Sequence, residues 1–198
     1  MDHHVGTGIH RRPAGGVHSL MGAMMPWQWN GSTLRDARGT DLAWVRDGVL
    51  TITGTLSGEH ARPDTVFDVE TSLDGTNTSC RFFLRARPRV SRSTDSGAAP
   101  RVEVSQVGLT VARLRATCGD ARYLLERCAI FGKQRRIMAL GGQDSSPLGS
   151  EVARVTPRGR GLEISAANGE GCTLPHADAV VLSYSCLLVD AAPRIVRG

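Results

Sequence analysis

The segment His176 to Asp190, HADAVVLSYSCLLVD, constrains the fold most. Its apolar side chains lie almost all round a helical projection, and a helix with no polar face must be enclosed by protein or lipid. Thr173 suits the N-cap, Pro175 the first turn and Asp178 the positive end of the helix dipole, while Pro193 stops the helix. A run of about 15 residues is long for a buried strand, which argues for helix. The longest apolar stretch, Leu174 to Val189, is interrupted by His176, Asp178, Ser183 and Ser185 and falls short of the roughly 20 residues that a membrane span needs.

Something in the same chain must therefore wrap this helix. Upstream lie short runs rich in β-branched and aromatic residues, bounded by Gly, Asp, Asn or Pro: Asp41 to Arg46, Val49 to Gly54, Thr65 to Glu70, Ser79 to Arg87, Leu109 to Arg115, Ala121 to Arg127, Glu151 to Thr156 and Leu162 to Ala166. Two weaker runs, Val102 to Ser105 and Arg136 to Leu140, join them. With 23 glycines and 5% aromatics, the chain reads as mainly β. The expected fold is a closed antiparallel barrel of about 10–12 strands around a buried C-terminal apolar helix.

One pattern recurs: Gly39-Thr-Asp-Leu42-Ala43-Trp-Val45, Gly108-Leu-Thr-Val111-Ala112-Arg-Leu114 and Gly149-Ser-Glu-Val152-Ala153-Arg-Val155. It predicts a turn closed by Gly and then a strand, with Ala and the residue two away on one face.

The 198 residues suit one domain with appendages. Residues 1–25 hold four of the six histidines among Gly, Pro and Arg without periodicity, and read as a flexible tail. Residues 26–198 read as the barrel domain, with a disordered loop near 88–100, where Ser, Pro and Gly dominate. Five cysteines, an odd number with no CxxC spacing, predict reduced thiols and a cytoplasmic location; Arg11-Arg12 is only a faint export signal, with no convincing cleavage site after it. Cys172 and His176 alone cannot make a four-ligand zinc site, so no metal or cofactor is expected.

Asp36-Ala-Arg-Gly39 followed by Leu42-Ala43-Trp44-Val45, together with the ending Ala179-Val-Val-Leu-Ser-Tyr-Ser-Cys-Leu-Leu-Val-Asp190, resembles the tubby C-terminal-like superfamily, which includes phospholipid scramblases and LURP-one-related proteins. The resemblance covers roughly Trp27 to Ile195 and implies a barrel closed on a central helix, with lipid binding or membrane association as the expected role. The chain departs from that pattern in lacking a Cys-rich acylation cluster, a calcium loop after the barrel and a Lys-rich headgroup site.

The net charge is +5, from 23 arginines, one lysine and 19 acids, a bias that reflects a GC-rich genome and that favours anionic partners. The densest basic cluster is Lys133, Arg135 and Arg136, read as a turn that holds a phosphate or headgroup through Arg forks, or as a solvated turn. Arg85, Arg87 and Arg89 alternate along a strand and form a second stripe, either anion-binding or merely exposed. Nucleic acid is an unlikely partner, because only Phe82-Phe83 sits among basic residues and one of the two must point inward. No GxSxG or HExxH occurs, His60 and His176 have no evident catalytic partner, and Cys186 lies within the apolar helix, so no catalytic residue is assigned. The expectation is a non-catalytic binding or scaffolding domain for anionic lipid or another anion. The alternative is an enzyme or small-molecule binder using the barrel mouth.

Overall fold

The computed structural model describes residues 26–54, 64–74, 81–89, 101–141, 149–167 and 174–190. The expected tail, most of the expected loop near 88–100, His60, Cys80, Cys172 and the Thr173 cap lie outside them.

Twelve antiparallel strands close into a barrel and one helix, α1 (His176–Asp190), fills it. The strands are β1 (Trp27–Asn30), β2 (Thr33–Arg35), β3 (Asp41–Arg46), β4 (Val49–Ile52), β5 (Thr65–Asp74), β6 (Arg81–Pro88), β7 (Val102–Gln106), β8 (Arg113–Cys118), β9 (Ala121–Arg127), β10 (Arg135–Leu140), β11 (Ser150–Arg158) and β12 (Gly161–Ala166). Each pairs with its neighbour in sequence, and β1 returns to β12 to close the ring. Closure leaves no unpaired edge.

Alternation along the strands sorts the core. Leu34, Ala43, Leu50, Phe67, Leu84, Val104, Leu114, Leu125, Ile137, Val155 and Ile164 point inward and meet the helix residues Ala179 to Leu182 and Cys186 in one cluster. The helix is thus the core of the barrel, as its all-round apolar sequence requires. Its serine hydroxyls are satisfied internally: Ser183 donates to the Val180 carbonyl at 3.0 Å, Ser185 to the Leu182 carbonyl at 2.7 Å, and the Trp29 indole N–H donates to Ser183 Oγ at 2.9 Å.

The recurring Gly pattern has a structural meaning beyond turn-plus-strand. Gly39, Gly108 and Gly149 all adopt positive φ, at 83°, 83° and 75°. In the first and third copies the residue before Ala is an extra residue: the β2–β3 register skips Leu42, and the β10–β11 register skips Val152. Such bulges bend a strand and raise its twist, which a closed barrel needs. The second copy differs. Residues 108–112 remain a turn, β8 starts only at Arg113, and the carbonyls of Val111 and Ala112 accept hydrogen bonds from a buried guanidinium.

Two strands, β1 and β2, escape the sequence reading because runs of four and three residues are too short to show alternation. The β1–β12 seam also depends on Gly161, where a Cβ would stand 2.0 Å from the Trp29 carbonyl oxygen.

Candidate functional site

The basic cluster read from the sequence does not form one surface. β10 alternates, so Arg135 shares the inward face with Ile137 and is 0% exposed. Its Nε donates to Asp190 Oδ2 at 2.5 Å, and its Nη2 to Asp190 Oδ1 at 3.2 Å and to the Val111 carbonyl at 2.7 Å. Arg135 is therefore neither a solvated turn residue nor able to touch a surface-bound anion; its partner is the last residue of the helix. Arg136 points outward and holds Glu126 at 2.8 Å, with Arg113 on the other carboxylate oxygen at 2.8 Å. The Arg136 hydrogen bond, reinforced by Arg113, keeps the Glu126 carboxyl below its ordinary range against the opposing effect of burial. Lys133 is an exposed residue whose Nζ turns back to donate to the Asp190 carbonyl at 2.7 Å.

The β6 stripe is neutralised by register. Arg85 faces Glu103 at 3.2 Å and Glu70 at 3.9 Å, Arg87 faces Glu70 at 3.5 Å, and Arg89 faces Asp68 at 2.7 Å. The Arg85 guanidinium also lies 5.0 Å over the Phe83 ring, while Phe82 points into the core.

Arg127 completes the group around the helix end. It follows Tyr123 and Leu125 on the inward face of β9 and donates from Nη2 to Asp190 Oδ1 at 2.6 Å. Two arginines and a lysine thus converge on one buried aspartate. Arg127 and Arg135 anchor β9 and β10, Lys133 anchors the connection 128–134, and Arg135 reaches into the connection 107–112.

Those two connections line a common cleft of about 440 Å³, with Val107, Thr110, Arg113, Arg127, Cys128 and Ile130 on its walls. Their tips carry the most exposed large apolar side chains among the described residues: Leu109 at 90%, Ile130 at 86% and Phe131 at 99%. The sequence reading missed this feature. By its sequence Leu109 opens a strand run, and Phe131 falls in none of the runs. The available signal is Cys128-Ala-Ile-Phe131-Gly132, an apolar run in a hairpin connection, where polar residues are the rule.

At the opposite end of the helix Tyr123 donates its hydroxyl to Asp178 Oδ2 at 2.8 Å. Burial raises the Asp178 carboxyl to about 6, with the Tyr123 hydrogen bond pulling the other way. Burial first, and Asp178 second, push the Cys118 thiol and the Tyr123 hydroxyl upward, so both stay protonated at neutral pH. His176 packs edge-on against Trp27, with ring centres 5.0 Å apart. Trp27 and Trp29 belong to the core, whereas Trp44 lies on the outer wall.

Among the described residues Cys118, Cys128 and Cys186 are free thiols, and of these three Cys128 alone is exposed. Among the described residues no three His, Cys, Asp or Glu side chains converge as a metal site, and no helix is long and apolar enough to cross a membrane. Comparison with protein-family models, with curated proteins and with solved structures gives no match.

Proposed function

We propose that the chain is a non-catalytic binding domain of the tubby-like kind that docks on anionic membrane lipid through the loops 107–112 and 128–134. The observation that carries this reading is the exposure of Leu109, Ile130 and Phe131 on two adjoining loops at one end of the barrel. Val107, in the first of these loops, is 37% exposed, and elsewhere among the described residues the large apolar side chains are buried or half-buried, apart from Trp44 at 37%. Transferring a side chain such as Phe or Ile from water to an apolar phase yields about 1.5–3 kcal/mol, and amphipathic surfaces use that gain to enter the headgroup boundary. Lys133 stands two residues after Phe131, and a cation near an anionic leaflet adds about 1 kcal/mol, whereas Arg113 is paired with Glu126.

The filled barrel supports binding rather than chemistry inside it, since the helix occupies the interior and the cleft lies between the loops. What supports the tubby-like assignment is the closed antiparallel barrel threaded by one C-terminal apolar helix. In this reading Lys133 keeps a direct role at the lipid surface. Arg136, Arg85 and Arg87 are paired with acids on the wall, and Arg135 acts from behind the surface.

Co-sedimentation with phosphatidylcholine vesicles, with and without phosphatidylserine, tests the reading. The protein should partition onto the anionic vesicles, and Ile130→Ser with Phe131→Ser should lower partition about a hundredfold or more. Equal indifference of the protein to both vesicles defeats it. If the double change instead abolishes concentration-dependent self-association, the tips are a protein interface.

A further inference from the structure

We infer that Asp190 is a positioning residue for the docking surface: it ties the last turn of the buried helix to both apolar loops, so that the loops are held ready before any ligand arrives. The inference rests on the docking role just proposed and adds what governs it.

The geometry is specific. The Asp190 carboxylate, buried at 2% exposure, takes Arg135 on Oδ2 and both Arg127 and Arg135 on Oδ1. The guanidinium of Arg135 is in turn held against the carbonyls of Val111 at 2.7 Å and Ala112 at 3.3 Å, at the base of the loop that carries Leu109. Lys133, two residues after Phe131, donates to the Asp190 carbonyl. The backbone adds Arg127 N–H to the Ala112 carbonyl at 2.9 Å and Cys128 N–H to the Gln134 carbonyl at 2.9 Å. Each docking loop is thus bonded, directly or through one guanidinium, to a single residue of the helix. The apolar tips themselves make no such bonds, so their placement depends on these roots. Holding a binding loop in its bound shape removes an ordering cost from association.

Electrostatics and positioning predict opposite signs for one substitution. Asp190→Asn removes a negative charge and leaves Arg127 and Arg135 uncompensated beside the rim. If charge alone governed docking, the variant would bind anionic vesicles more tightly. If Asp190 positions the loops, it binds them more weakly, by about tenfold.

The experiment measures partition onto phosphatidylcholine vesicles containing phosphatidylserine, at a temperature well below the melting point of each variant. It also measures the alkylation rate of exposed Cys128 without vesicles, read by mass spectrometry of its peptide. Asp190→Asn should bind about tenfold less and alkylate faster. Leu187→Ala, which weakens the helix packing but touches none of these bonds, should bind and alkylate like the parent protein. Parent-like partition and alkylation in Asp190→Asn overturn the inference while leaving the docking role intact. Tighter binding overturns it in favour of simple charge attraction. If the parent protein binds no vesicles, the docking role falls and the alkylation rates alone decide whether Asp190 holds the loops. Should Asp190→Asn fail to fold, Lys133→Met cuts only one tether, the bond to the Asp190 carbonyl: faster Cys128 alkylation then supports the inference and an unchanged rate refutes it.

Discussion

The two poles of α1 each bury an aspartate, and the barrel treats them in opposite ways. Asp190 meets Arg135, Arg127 and the ammonium of Lys133. Asp178 meets a neutral phenol, with a buried thiol nearby. At the first pole the carboxylate is matched by more cationic charge than it carries. At the second, ionisation is opposed by burial and answered by one hydrogen bond, so the carboxyl titrates near 6 rather than near 4. Burial alone therefore does not set the character of an acidic residue; the strands opposite it do. The pole with the ion pairs is also the pole with the exposed apolar loops. The ion-paired aspartate and the proposed docking surface coincide there, while the other pole carries an ionisation cost.

The contrast is broken most severely at Asp190. Asp190→Leu leaves Arg135 buried without a counter-charge and should cost about 3–5 kcal/mol, read by chemical denaturation. Adding Arg135→Met should recover much of that loss, because an apolar pair removes the stranded charge. No recovery would mean that the hydrogen bonds to the Val111 and Ala112 carbonyls matter more than the charge. For the same reason, changing Lys133, Arg135 and Arg136 together to Gln should destabilise the fold, contrary to what three exposed charges would do.

Asp178→Asn should act in the other direction and by less. The folded carboxyl holds its proton to a higher pH than the unfolded one, so its stabilising effect is complete below about 3.8 and is lost as pH rises through about 6. Asn keeps an acceptor for Tyr123 but cannot ionise. The variant should be more stable than the parent at pH 7, by at most about 2–3 kcal/mol, and equal to it near pH 4. Equal stability at both values would show that Asp178 titrates normally.

Tyr123→Phe sharpens the same pole, removing the donor and costing about 1–2 kcal/mol, with a larger loss at pH 7 than at pH 5, where more of Asp178 is protonated. The smallest effect on stability belongs to Phe131→Ser. A side chain 99% exposed contributes little to the fold, so the melt should shift by less than about 0.5 kcal/mol while vesicle partition falls. A large stability loss would place Phe131 in the fold rather than at its docking surface.

By itself the sequence determined whatever depends on neighbouring residues. The helix runs over the expected His176–Asp190, and β3 and β9 keep their expected bounds, because hydrophobic period and flanking turn residues are local signals. The need for an enclosing barrel followed from the helix having no polar face. The recurring Gly pattern foretold turns, although its bulges at Leu42 and Val152 appeared only once strands were paired. Tertiary structure decided the rest. Whether Arg85 and Arg87 are a free stripe depends on which residues of β5 and β7 lie opposite, and register brings Glu70 and Glu103 there. Whether Arg135 faces water depends on where β10 begins: the strand carries it inward with Ile137, toward an aspartate 55 residues away. The period-two rule and a lone acid ending an apolar helix were both visible, but neither names its partner. Charges act through space, and space between distant residues is set by how the barrel closes.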